Sequence, residues 1–341
     1  MVLQPTYPTW EPGIPQGMCS NTLTQFEESG FTSVSPYPVI DVVVLMGRLD
    51  HVGGQAVIEG VMMRSRSRYV VAVRTPKGDI SVKSERINSP AERFPVLKKP
   101  ILRGIVVLIE SLLIGVKALT YSAQEAFEAD DGGDEKGPSN FAVTFTLLLS
   151  FILGIGLFVI LPAFLAGEMT DRGWAFNLID GLIRLAMFFG YILVISIMPD
   201  IRRVFEYHGA EHKSIFAYES GEELTAENAS KYSTLHPRCG TAFLLTVMLI
   251  SIIVFSILGK PSSYLIRFGS RVVLIPLIAG ISYEVIRLAS KKPQSGLMRV
   301  VIAPGLLLQR LTTREPSSDQ LQVAVSALKE LIKSEGEDDI S

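Results

Sequence analysis

Cysteine is scarce in this chain. Cys19 and Cys239 are the only 2 among 341 residues, too few for a disulfide framework. A pair so widely spaced points to reducing conditions on at least one side of a membrane. Charge is scarce as well, at 19% of residues with a formal net charge of -2. No strong field of one sign is available to hold a nucleic-acid backbone, so no nucleic-acid partner is expected. The opening residues have no basic stretch leading into an apolar core and a small-residue cleavage site, which excludes a secretory signal peptide. Gly53-Gly54 lacks the G-x-x-x-x-G-K-[ST] spacing of a phosphate loop. No internal repeat of the kind that builds many transporters is detectable.

Apolar residues are plentiful, at 48% of the chain, and they are gathered into blocks. A membrane span needs about 20 predominantly apolar residues, and four blocks qualify: 141–166, 178–198, 241–258 and 272–289. The second carries only Asp180 and Arg184, near its start. The fourth carries Glu284 and Arg287, with Pro276 and Gly280 inside it; neighbouring helices can satisfy the backbone groups that such residues free. A fifth block, 101–121, has Arg103, Glu110 and Lys117 at seven-residue spacing, which makes one polar stripe. That pattern suits a helix lying in the membrane interface, or one whose stripe faces the interior of a bundle.

Basic residues crowd 64–99, the 202–238 loop and the tail after Arg287. All three regions fall on one side if 101–121 does not cross. The positive-inside rule then gives a multi-pass protein of the bacterial inner (cytoplasmic) membrane, with four spans and both termini cytoplasmic. The predicted fold class is mainly α, a polytopic membrane protein with about four transmembrane helices, one amphipathic interfacial helix and a small N-terminal β-hairpin. The hairpin is placed at 69–87, where apolar and polar residues alternate around Pro76-Lys77-Gly78-Asp79. An amphipathic helix is predicted over 317–334, opened by serine and aspartate after Pro316, with Val323, Leu328 and Leu331 facing a partner surface.

The predicted organisation follows. Residues 1–48 are a disordered or non-native extension, rich in proline, glycine, serine and threonine, with Met46 as an alternative start. A cytoplasmic β-containing region occupies 49–100 and the interfacial helix 101–122. The transmembrane region covers 141–289, with the loop 199–240 on its cytoplasmic side. A cytoplasmic tail fills 290–341.

Histidine is rare too, yet 3 of the 4 histidines, His208, His212 and His236, lie in one loop, and Cys239 follows the last by three residues. His208 and His212, at i and i+4, project from one face of a helix and can hold one zinc ion. Glu211 completes H-x-x-E-H, the order of the inverted zinc peptidases, where the glutamate is general base. Adding His236 and Cys239 gives four nitrogen and sulfur ligands suited to tetrahedral Zn2+. Two metal readings follow: three ligands with an open position and Glu211 as base, or four ligands in a closed structural site. Against both stands a polar network without metal. Glu284 reads as an interior ion pair or an interfacial position before it reads as a transport site or a distant acidic ligand. Glu59 and Arg64, beyond the paired glycines, are candidates for one shared polar site.

The strings GGQAVIEGVMMRS, PILRGIVVLIESLLIGVKAL, YHGAEHKSIFAYE, HPRCGT and PGLLLQRLTTREP together resemble the YqhQ-like family of uncharacterised bacterial membrane proteins, described as predicted metal-dependent enzymes. The resemblance covers roughly 50–330. It implies His208, Glu211, His212, His236 and Cys239 as metal or catalytic positions, and it brings no substrate. The expected activity is zinc-dependent hydrolysis of a protein or lipid-linked substrate near the membrane surface, with membrane lipids as surroundings. The alternatives are a non-enzymatic scaffold or assembly factor with a structural His/Cys metal site, and a small transporter using Glu284 and the polar stripe of 101–121.

Overall fold

The computed structural model describes residues 52–127, 140–237, 239–258, 263–291 and 296–338. The predicted extension 1–48, with Cys19, lies outside the described residues, as do His51 and Arg238.

The N-terminal part is a four-stranded antiparallel meander, not a single hairpin. Strands β1 (Gly53–Val57), β2 (Gly60–Arg64), β3 (Arg68–Arg74) and β4 (Ile80–Arg86) pair in chain order. The β3–β4 hairpin is the predicted one. Its turn contains Gly78 at φ +92, a left-handed conformation that glycine adopts without steric cost. The β1–β2 hairpin was harder to read because its sequence is an apolar run without alternation. It turns on Ile58-Glu59, and Glu59 holds φ +50, unusual for a residue with a side chain.

The run is apolar because the sheet is covered on both faces. Val61, Met63, Val70 and Ala72 form one core with Leu321, Ala324, Leu328 and Leu331 of a C-terminal helix. Val57, Met62, Tyr69, Val71 and Val73 form the opposite core with Ile114 and Ala118. The β3 residues from Tyr69 to Val73 are therefore all buried, as expected of a strand between two layers.

The helices follow. α1 (Pro90–Arg93) and a 3-10 turn (Pro95–Lys98) lead into α2 (Leu102–Phe127). α3 (Asn140–Ile155) and α4 (Leu161–Met169) are joined by a π-helical stretch, Gly156–Ile160. α5 (Gly173–Ile195), α6 (Pro199–Ser220), α7 (Ala226–Ser230), α8 (Gly240–Leu258), α9 (Tyr264–Lys291), α10 (Gly296–Thr312) and α11 (Ser318–Asp338) complete the chain.

Four stretches are long and apolar enough to cross a bilayer: Leu148–Met169, Gly173–Ile195, Gly240–Ile257 and Gly269–Ala289. They correspond to the four predicted blocks and mark the chain as a membrane protein. Ile152, Phe164, Val194, Ile253, Ile257 and Val273 on them are exposed, which is costly in water and ordinary in lipid. Close contacts tie the bundle. A Cβ on Gly181 of α5 would lie 2.3 Å from Ile252 of α8, and one on Gly305 of α10 would lie 2.4 Å from Ala242 of α8.

α2 settles where its polar stripe points. Arg103 forms a forked ion pair with Glu284 of α9, and Glu110 receives Ser89 and faces Arg64 at 3.9 Å. Much of the stripe is therefore turned toward protein. Gly104, Ile114, Gly115, Ala118 and Ser122 are buried, while Ile109, Leu112, Leu113, Val116 and Leu119 are exposed along the other side. Glu284, paired with Arg103, is a half-buried ion pair. Glu59 and Arg64 belong to separate networks: Glu59 accepts from Arg203 and Tyr207, Arg64 donates to Ser111.

α11 was legible at its start. Ser317 Oγ accepts from Gln320 N at 3.3 Å and Gln320 Oε1 accepts from Ser317 N at 2.9 Å, a reciprocal capping box. The partner of its apolar face is the chain's own sheet, where Val323, Leu328 and Leu331 are fully buried.

Candidate metal centre

The predicted loop 199–240 is mostly helix. α6 starts with Pro199 at its first turn, where a missing N–H costs nothing, and ends on Gly221 at φ +76, whose left-handed backbone closes the helix. On this helix His208, Glu211 and His212 are all buried, at 8%, 5% and 1% exposure. A helix so polar at its centre is buried because the sheet, α11, Thr234, His236 and Cys239 close around it. Gly209 makes that possible: a Cβ there would lie 2.1 Å from the Arg314 carbonyl oxygen.

His208 and His212 are oriented in the same way. His208 Nδ1 donates to the Thr312 carbonyl at 2.8 Å and His212 Nδ1 donates to the Thr234 carbonyl at 2.5 Å. A carbonyl can only accept, so each Nδ1 carries the hydrogen and each Nε2 is left with its lone pair free. His208 Nε2 meets Cys239 Sγ at 3.1 Å. His212 Nε2 is buried and makes no hydrogen bond. The ligating atoms of His208, His212 and Cys239 all lie within 4.8 Å of one another.

Cys239 is placed by its neighbours. Thr241 N donates to its sulfur at 3.4 Å and Thr241 Oγ1 lies 3.1 Å away. Gln309 grips the backbone just before it, with Oε1 accepting from His236 N at 2.8 Å and Nε2 donating to His236 O at 2.9 Å. Burial by itself would push the Cys239 thiol up; the nearby His212 ring, aided by Thr241, outweighs it and holds the thiol below its ordinary value. Burial, reinforced by His208, holds His212 below the usual imidazole value against the opposing pull of Cys239.

Glu211 stands beside this group. Its carboxyl packs against Gly54 of β1, where a Cβ would come within 2.8 Å of Glu211 Cδ. Burial pushes it up to about 8, with His208 opposing, Cys239 adding to the rise and the Gly54 amide opposing. Its Oε2 is buried without a hydrogen-bond partner among the described residues.

His236 is near but differently engaged. Its ring centroid lies 5.6 Å from that of His212 and 4.5 Å from that of Phe216. Its Nε2 lies 3.5 Å from the Glu219 carboxylate, and it stands outside the three-residue group. Of the five predicted residues, the structure therefore gathers His208, His212 and Cys239 with Glu211 alongside. The parts that sequence reading missed are the Thr234 and Thr312 carbonyls, Gly54 and Gln309. Backbone acceptors leave no residue-type signal, and Gln309 reads as one polar residue in an apolar run.

Residues 99–334 match the family described as "Protein of unknown function (DUF1385)". The chain belongs to that family. It is 38% identical over 299 residues, covering 83% of this chain and 92% of the relative, to "Uncharacterized protein YqhQ" of Bacillus subtilis (strain 168). No solved structure matches it. The DUF1385 match includes all of α6 and Cys239, and leaves Gly54 of β1 outside it.

Proposed function

We propose that the chain is a zinc-dependent hydrolase of the membrane surface, with His208, His212 and Cys239 as ligands and Glu211 as general base. The observation that carries the reading is the shared orientation of the two imidazoles: both Nδ1 atoms are spent on backbone carbonyls, and both Nε2 atoms face one buried thiol. Second-shell carbonyls of this kind fix the tautomer that a metal requires. Two nitrogens and one sulfur leave a fourth position open, as in catalytic zinc sites. Zinc held there would supply Lewis-acid chemistry. The chain supplies the rest. Glu211, with Oε2 unpaired, takes a proton from water and hands it to the leaving group. The Gly54 amide fixes the other side of that carboxyl.

Location limits the substrate. Cys239 directly precedes the span that begins at Gly240, and α6 begins four residues after α5 ends. The centre is thus held at one end of the spans, within reach of a protein or lipid-linked substrate at the membrane surface. The apolar stripe on α2 would rest on the same leaflet, which in this reading is the cytoplasmic one of the bacterial inner membrane.

The test is metal content joined to product analysis on purified full-length protein. Wild type, Glu211→Gln and His236→Ala are expected to hold one zinc each, whereas His208→Ala and Cys239→Ser lose it. Peptide and lipid products released from membrane extract should be present with wild type and absent with Glu211→Gln. Wild type that binds no metal refutes the reading. Products unchanged in Glu211→Gln refute the base and favour the structural, scaffold-like site.

A further inference from the structure

A second cluster of charge lies inside the helical bundle, toward the opposite end of α5 from α6 and its histidines. Asp180 on α5 and Arg271 on α9 are buried, at 3% and 6% exposure. Arg271 Nη2 donates to Asp180 Oδ2 at 2.6 Å. Arg184, one turn further along α5, donates through Nη2 to both Asp180 oxygens at 3.1 and 3.2 Å. The Arg271 guanidinium also lies 5.5 Å from the centre of the Phe255 ring. Two guanidiniums, always charged, share one carboxylate. The charged groups acting on Arg184 are Asp180 and Arg271, so the cluster keeps an excess positive charge. Arg184 Nε is buried and meets no acceptor among the described residues.

Depth makes this excess significant. Asp180 lies seven residues after the first residue of α5, and Arg271 seven after the first of α9. At a rise of about 1.5 Å per residue, both sit roughly 10 Å inside the helix starts. Side chains on a helix lean toward its N-terminus, so Arg184 brings its guanidinium back to the level of Asp180. Both helices begin at this end, and the positive ends of their dipoles add to the field. An unbalanced cation in a span is costly unless an anion accompanies it. The Arg184 side chain keeps 18% exposure, so the cluster is not sealed. The segment ahead of α5 carries exposed Glu168, Asp171 and Arg172, which places any selection for negative charge on the buried pair.

We propose that Arg184 and Arg271, braced by Asp180, form a phosphate-binding site within the bundle. Asp180 holds the two guanidiniums in register and leaves Arg184 Nε as a donor for a phosphate oxygen. Guanidinium groups match phosphate geometry through forked hydrogen bonds. The phosphate is that of an anionic lipid headgroup or of a soluble phosphate entering from the same interface. This inference does not depend on the metal reading.

Native mass spectrometry of the full-length protein in neutral detergent tests it, with phosphatidylglycerol and inorganic phosphate as separate probes. Wild type should retain one phosphate-bearing ligand, and Arg184→Gln should weaken that binding about tenfold or more. Arg202→Gln, on the exposed side of α6, should leave it unchanged. Arg184→Lys, which keeps charge and loses the fork, should fall between; it serves as the decisive variant if the glutamine substitution fails to fold. Binding of phosphatidylglycerol that inorganic phosphate cannot displace identifies the lipid source. Displacement by inorganic phosphate identifies the soluble one. Equal binding of both probes by wild type and Arg184→Lys, or no binding of either by wild type, overturns the proposal.

Discussion

Glu211→Gln in the metal-free protein has a consequence that can be worked out in both sign and size. The folded chain holds this carboxyl protonated up to about pH 8, against an ordinary value of 4.5. Below 4.5 both folded and unfolded chains carry the proton, and burial exacts no ionisation penalty. Between 4.5 and 8 the unfolded chain releases the proton and the folded chain keeps it, so stability falls as pH rises. The slope is about 1.4 kcal/mol per pH unit, or about 3 kcal/mol between pH 5 and pH 7. Glutamine fills the same space and does not titrate. His212 titrates in the opposite sense, losing stability as pH falls, and contributes to both proteins. The difference between them therefore isolates Glu211. In a chain of this size 3 kcal/mol corresponds to a melting shift of roughly 4 °C. Thermal unfolding of chelator-treated protein in detergent, stepped from pH 5 to pH 8.5, reads it. The glutamine variant should gain on wild type steadily up to pH 8 and then hold constant. Parallel curves across that range would refute the buried, protonated carboxyl. Restoring zinc should shrink the gap, because a bound cation favours the ionised form.

Two more outcomes follow from the walls of the centre. Gly209→Ala puts a Cβ 2.1 Å from the Arg314 carbonyl, so α6 and the residues after α10 must part. We expect a loss of several degrees in melting temperature and a lower zinc content, measured together by calorimetry and elemental analysis; unchanged zinc would show that the Thr312 carbonyl is dispensable. Gln309→Ala removes both bonds to the His236 backbone and leaves its buried N–H unsatisfied, while its C=O keeps only the longer bond from Cys239 N at 3.4 Å. It should destabilise by about 1–3 kcal/mol, as one buried unpaired group does, and should speed alkylation of Cys239 in the metal-free protein. An alkylation rate equal to wild type would refute the clasp.

Much of the architecture could be read from the chain because its signals are continuous. Four apolar blocks of span length, with few charges, leave little choice of solvent. The helix after Pro316 carried its own capping box. The pairing of His208 with His212 was legible because i, i+4 histidines on a helix converge whatever surrounds them. Other features were hidden for physical reasons. β1 and β2 are covered on both faces, so they lack the alternation that marks a half-buried strand. α10, with Pro304 inside it, was read only as part of the tail. Spacing alone could not separate His236 from the His208, His212 and Cys239 group, because His236 follows the same local logic as Cys239. What distinguishes them is Glu219, the next-to-last residue of α6, which comes near the His236 ring only after folding.

The Thr312 carbonyl that steadies His208 carries a consequence in time. It belongs to the last residue of α10, so it leaves the ribosome after all four membrane-crossing helices have been made. Until α8 and α9 are inserted and α10 has packed back along α8, His208 has no fixed tautomer and Cys239 no fixed position. The centre therefore takes shape only after the spans have been made. A metal ion retained there would report that the whole membrane assembly had been completed in the right order.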